Sequence, residues 1–302
     1  MRDFPSCFGE NAVQISDSSS SSNGNKTAQN LVTCVYQCRL RGWSCSITLT
    51  WSKNLMGQPG FSVGIDDSSN HTLCKVEIKP WLFSKKKGSK CIELDDLIKV
   101  DVYWDLSDAR FGSGPEPLDR FYVAIVSNKQ LMLLLGDLKK EAIKKTNATP
   151  SLSNAALVAK REHIFGRRAF YTKTRFCDDG PLHDIMIECD TVGTNDPCLV
   201  VRLDTKNVMR VKCLRWKFRG NHTILVDGLP VDVFWDVYNW LFGTSPGSAV
   251  FMFRTSLSAE KLWASQPVSD LSALNWSHSQ RFREPQFHHP GFSLFLYAWK
   301  QV

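Results

Sequence analysis

Four aspartates fall into two matched pairs. Asp101 and Asp105 lie in Val100-Asp101-Val102-Tyr103-Trp104-Asp105, and Asp232 and Asp236 lie in Val231-Asp232-Val233-Phe234-Trp235-Asp236. Paired carboxylates can carry acid–base chemistry when their surroundings split their pKa values. The alternation of apolar and polar residues makes both segments strands. Residues four apart in a strand share one face but stand roughly 13 Å apart. Glycosidase pairs need about 5–9.5 Å, so neither pair is expected to be catalytic. Asp105 and Asp236 are expected instead to cap the loops that follow them.

The other chemistry-bearing residues form no constellation. Ten cysteines point to buried, reduced thiols. Cys34-x3-Cys38-x6-Cys45 matches no zinc spacing, and residues 34 and 38 share one face of a strand, which suits packing. His288-His289 precedes Pro290 with only Glu284 nearby. There is no glycine-rich phosphate loop, no Gly-x-Ser-x-Gly and no His-Glu-x-x-His. The expectation is a non-enzymatic protein with no cofactor and no metal.

Charge is the lopsided property. The formal charge is +7, yet residues 139–176 alone carry ten basic and two acidic residues. The basic residues are Lys139, Lys140, Lys144, Lys145, Lys160, Arg161, Arg167, Arg168, Lys173 and Arg175. Such a cluster attracts an acidic phospholipid surface or a nucleic acid. The plainer alternative is solvated side chains on a helix, a linker and edge strands. A second stripe, Arg210, Lys212, Arg215, Lys217 and Arg219, surrounds Trp216 and Phe218. Those aromatics could stack bases, but core packing explains them more simply. Lys85-Lys86-Lys87 with Lys90 suggests a hairpin turn. A different class of function is a protein–protein adaptor using sheet edges and exposed aromatics, Trp43 and Trp81 among them. A ligand pocket lined by aromatics inside one β unit is a third.

The elements that carry these residues are mostly strands. The matched segments are 131 residues apart, and each is followed by Phe-Gly, Phe111-Gly112 and Phe242-Gly243. Upstream, Asp66 and Cys74 match Asp190 and Cys198 at an offset of 124. The chain is therefore expected to be all-β and mainly antiparallel, with two tandem, internally duplicated sandwich- or barrel-like units, either separate domains or one pseudo-symmetric body. Residues 1–30 form a serine-rich polar arm too poor in apolar residues to order itself. The first unit covers 31–138, a basic helix and linker 139–160, and the second unit with a C-terminal extension 161–302. Lys87-Gly88-Ser89 and Arg219-Gly220-Asn221 act as breakers between strands. Hairpins are expected at Ser127-Asn128-Lys129 and at Asp204 to Asn207, the latter leading into a strand from Val208 to Phe218. Short helices are expected after Asp137 and after Ser258, each with that residue as cap. Phe292 to Trp299 reads as a buried strand. No apolar run is long enough to span a membrane, and Met1 to Val13 lacks the pattern of a secretory signal. The expected location is the cytoplasm or nucleus, with peripheral membrane association as an alternative.

From about Leu31 onward the chain resembles the plant proteins of domain-of-unknown-function family 868. The resemblance rests on Val35-Tyr36-Gln37-Cys38, Thr50-Trp51-Ser52-Lys53, Val63-Gly64-Ile65-Asp66, Lys79-Pro80-Trp81, Asp101-Val102-Tyr103-Trp104-Asp105, Arg215-Trp216-Lys217-Phe218 and Val233-Phe234-Trp235-Asp236. It implies a plant intracellular protein and transfers no activity, cofactor or catalytic residue.

Overall fold

The computed structural model describes residues 31–40, 43–53, 58–67, 72–78, 86–95, 98–112, 114–149, 155–177, 180–190, 197–243, 247–255 and 291–300. The polar arm 1–30, the helix expected after Ser258, His288, His289, Trp81 and Lys85 lie outside the described residues, as does the side chain of Trp43. The first half holds β1 (Leu31–Leu40), β2 (Trp43–Lys53), β3 (Pro59–Asp67), β4 (Thr72–Ile78), β5 (Lys87–Asp95), β6 (Ile98–Asp105), β7 (Arg110–Phe111), β8 (Pro117–Asp119), β9 (Tyr122–Ser127), β10 (Gln130–Gly136) and α1 (Lys139–Thr146). The second holds β11 (Ala156–Gly166), β12 (Ala169–Thr174), β13 (His183–Asp190), β14 (Cys198–Leu203), β15 (Lys206–Val211), β16 (Arg219–Val226), β17 (Leu229–Asp236), α2 (Tyr238–Phe242), β18 (Ser248–Thr255) and β19 (Ser293–Lys300). The fold is all-β, with two short helices among the described residues. Among the described residues, β11 and β19 are the one parallel strand pair.

One nine-stranded sheet runs through both halves in the order β16-β17-β18-β19-β11-β1-β2-β3-β4. Two four-stranded sheets cover it, β10-β9-β6-β5 in the first half and β12-β13-β14-β15 in the second. Across the β1–β11 pair Val32 faces Glu162 and Cys34 faces Lys160. The inward side chains of the two halves therefore point to the same side, and both smaller sheets pack on one face of the long sheet.

Period-two alternation builds these layers. On β2, Cys45, Ile47, Leu49 and Trp51 are buried while the serines and threonines between them face outward. β9 breaks the alternation, being buried at every position from Tyr122 to Ser127. Both of its faces are covered. Val123 and Ile125 enter the core between the sheets, while Tyr122, Ala124 and Val126 pack with Ala142 of α1. The second half has its own core, centred on Phe170, Ile185, Ile187, Leu199, Phe251 and Phe253. Leu157 of β11 touches both cores.

Several local expectations need correction. Lys87-Gly88-Ser89 and Arg219-Gly220-Asn221 are not breakers but parts of β5 and β16. Gly88 faces Trp104 and Gly220 faces Trp235; these glycines make room for an indole rather than a turn. Asp137 does not cap α1. The first residue outside that helix is Leu138, and the Asp137 carboxylate accepts the Phe121 N–H at 3.1 Å. The strand after Asp204-Thr205 ends at Val211 rather than Phe218. The hairpins are as expected: Asn128, Lys129, Asp204 and Thr205 all have positive φ, the backbone that tight two-residue hairpin turns require.

Candidate functional site

β11 carries the basic segment into the seam between the halves, and it does so by splitting that segment. Lys160 points inward with its side chain only 15% exposed. Its ammonium lies 2.8 Å from Glu116, which precedes β8 in the first half, and 2.7 Å from Glu162. The contact with Glu162 is coulombic rather than an aligned hydrogen bond. The other Glu162 oxygen accepts the Thr172 hydroxyl of β12 at 2.6 Å. Burial alone would lower the Lys160 pKa, but Glu162 and Glu116 outweigh it and hold the ammonium well above the ordinary lysine range. Lys160 is therefore an internal counter-ion that ties both halves together, and its place in the expected anion-binding set is corrected.

Cys34 belongs to this cluster, donating to Glu116 at 3.6 Å. Burial, then the Glu116 charge, pushes its pKa far upward. It remains a thiol, the wrong form for a nucleophile.

The other nine basic residues are exposed. Lys139, Lys140, Lys144 and Lys145 project from α1, which seats Ala142 and Thr146 against β9 and β10. Arg161 lies over the Phe295 ring at 5.8 Å. Arg167 and Arg168 form the exposed turn between β11 and β12. Lys173 pairs with Asp184 at 2.8 Å, and the Arg175 guanidinium donates to the Gly180 carbonyl. The structure brings together the four lysines of α1 and, separately, the arginines of the β11–β12 turn.

The two matched aspartate pairs contribute similar corner contacts. Asp105 pairs with Lys87 at 2.6 Å and accepts the Ser107 N–H at 3.1 Å. Asp236 pairs with Arg219 at 2.7 Å and accepts the Tyr238 N–H at 3.0 Å. Next to each, the Leu106 N–H donates to the Lys86 carbonyl and the Val237 N–H to the Phe218 carbonyl. The capping role expected of Asp105 and Asp236 is therefore seen. The two corners sit in different places in the fold: β5-β6-β9-β10 is a separate four-stranded sheet, whereas β16-β17-β18-β19 is one end of the nine-stranded sheet.

Two features escaped the sequence. Trp216 is not core but 87% exposed, on a turn between Cys213 and Lys217. Arg210, Lys212, Arg215 and Lys217 beside it are exposed too. The turn is held from below by the Trp235 indole, whose N–H donates to the Lys217 carbonyl at 2.9 Å. Buried Leu214 anchors its other side. One signal was available: the basic residues change from even to odd positions between Lys212 and Arg215, which marks the end of a strand.

The second feature is His183. Its Nδ1 is 2.6 Å from Asp204 and its Nε2 2.9 Å from Asp227. These aspartates sit at the tips of the β14–β15 and β16–β17 hairpins, so one imidazole staples the two layers of the second half. Burial lowers the His183 pKa, but the two carboxylate hydrogen bonds outweigh it and the net shift is upward. No local pattern announces this, because the partners are 21 and 44 residues away.

Among the described residues no group of three or more His, Cys, Asp or Glu could hold a metal ion. No helix there is long and apolar enough to cross a membrane. Aromatic rings pack on one another in both cores: Phe170 stacks on Trp240 at 4.9 Å, and Trp51 lies 5.3 Å from Phe61.

Compared with known proteins, residues 27–300 match the model of a family described as plant protein of unknown function, DUF868. No curated protein and no solved structure matches the chain.

Proposed function

Since the chain belongs to the DUF868 family of plant proteins of unknown function, we propose its role from its own surface: a non-enzymatic β protein that binds an anionic partner, an acidic lipid surface or a nucleic acid. The contact would be made by the exposed cations of residues 139–175. One observation carries this reading. Nine of the ten basic side chains there are exposed, whereas Lys160 alone is turned inward. Seating α1 through Ala142 and Thr146 turns four lysines outward, and Glu141 is the one acidic residue within the helix. Each such cation contributes about 1 kcal/mol near an anionic membrane, and phosphate contacts weaken steeply with salt. The recurring glycine–tryptophan and cation–aspartate corners support an internal duplication, with this segment at the junction of the copies. The reading puts the protein in the cytoplasm or nucleus, where such partners are accessible.

The test is binding to phosphatidylserine vesicles and to single-stranded RNA at low and high salt. Wild type should bind one of them at low salt, and K144E/K145E/R167E/R168E should not. A wild type that binds neither at low salt overturns the proposal.

An adaptor role is the second reading, supported by exposed apolar side chains on edge strands: Leu225 on β16 and Tyr171 on β12, together with Trp216. A protein partner whose capture survives the four charge reversals but is lost in Trp216→Ala would favour it.

A further inference from the structure

Cys38 and Cys45 are directly opposite each other in the β1–β2 pair. Both are buried, 3% and 4% exposed, and their sulfur atoms are 2.7 Å apart. Facing residues of an antiparallel pair hold their Cα atoms about 4.5–5.5 Å apart, within the roughly 4.4–6.8 Å that a disulfide accepts. Heavy atoms without a bond settle at about 3.5–4.0 Å, so these sulfurs are closer than simple packing would bring them. Cys34, on the same strand and face, is placed otherwise. It faces Leu49 and Lys160 and donates to Glu116.

We propose that Cys38 and Cys45 form a reversible dithiol–disulfide site, oxidised to a cross-strand disulfide by a small disulfide such as oxidised glutathione. Either sulfur of the pair can open the exchange once its thiol is deprotonated, Cys45 or, by the mirror-image steps, Cys38. The Cys45 thiolate attacks one glutathione sulfur, the glutathione S–S bond breaks, and one glutathione leaves as a thiolate. Cys38 then loses its proton and attacks the Cys45 sulfur of the mixed disulfide, releasing the second glutathione. The two protein thiols lose two electrons and two protons, and one glutathione disulfide becomes two glutathione thiols. The new bond closes the end of the β1–β2 hairpin just beyond Gln37, the last residue through which β1 pairs with β11.

Peptide mapping tests this cleanly, because Arg39 and Arg41 separate the two cysteines. The full-length chain is refolded from urea in a glutathione redox buffer, so that both thiols meet the oxidant before the hairpin closes. Free thiols are then alkylated and the chain is cut with trypsin without reduction. The expected result is a linked species joining peptides 27–39 and 42–53, converted to two alkylated peptides by prior reduction. Cys34→Ser should keep the link and Cys38→Ser should remove it. Alkylation of both Cys38 and Cys45 in the most oxidising buffer overturns the proposal, as does a link that disappears in Cys34→Ser. Neither readout requires the variants to be as stable as wild type.

Discussion

Gly220 on β16 faces Trp235 on β17 so closely that a Cβ at position 220 would come within 2.4 Å of the indole. The same relationship holds between Gly88 and Trp104, where the approach would be 2.8 Å. The indoles are buried and cannot swing away; Trp235 is also tied by its N–H to Lys217. Each glycine is thus required by its neighbour, not by a turn.

Gly220→Ala should therefore destabilise the fold, by about 1–3 kcal/mol as overpacking of a buried site does. Gly88→Ala should cost less, since its clash is milder. Urea unfolding midpoints measure both. A Gly220→Ala protein with the wild-type midpoint would remove the steric explanation.

Lys160→Met leaves Glu116 and Glu162 facing each other without their shared cation. Breaking a buried pair costs about 3–5 kcal/mol, and the partly open Glu116 side puts the expectation near the lower end. Adding Glu162→Gln should restore part of the loss. If Lys160→Met alone is neutral, the ion cluster does not hold the two halves together.

The His183 staple makes stability depend on pH in a defined direction. Its folded pKa is raised above the ordinary histidine value of about 6.5. The contribution is thus fully present below that value and is lost as pH rises through the elevated folded pKa. Asp204 is depressed by its hydrogen bond to His183, so its contribution fades as pH falls through that lowered value. Unfolding midpoints of wild type and His183→Asn should converge at alkaline pH and separate near pH 6. Parallel curves across this range would argue that the ring acts only by packing against Phe176.

Trp216→Ala removes a side chain that is almost wholly in solvent. Its unfolding midpoint should stay within the roughly ±0.5 kcal/mol typical of surface changes. Partner capture from plant extract, or binding to phosphatidylserine vesicles, should fall if this turn is part of a contact. A large stability loss would instead show that the indole supports the Cys213–Lys217 turn.

The strands were legible wherever one face is buried, because alternation then writes the inward side directly into the chain, as along β2 and β17. At Gly88 and Gly220 the sequence suggests breakers, because a glycine that opens a turn and a glycine that admits an indole look the same in sequence. The sequence groups Lys160 with its exposed neighbours because composition counts charges without direction. On β11, successive residues point to opposite faces, so Lys160 and Arg161 are adjacent in sequence but have opposite environments.

The sequence by itself determined the all-β class, the matched strands with their capping aspartates, and the excess of positive charge near the middle of the chain. These follow from short-range rules: the two-residue period, the turn residues and the sum of charges. Only the tertiary structure decided that one sheet runs through both halves, that Lys160 faces inward, that His183 meets Asp204 and Asp227, and that Trp216 faces out. Each of these depends on which strands become neighbours. That choice is made by packing between segments far apart in the chain, and no local pattern encodes it.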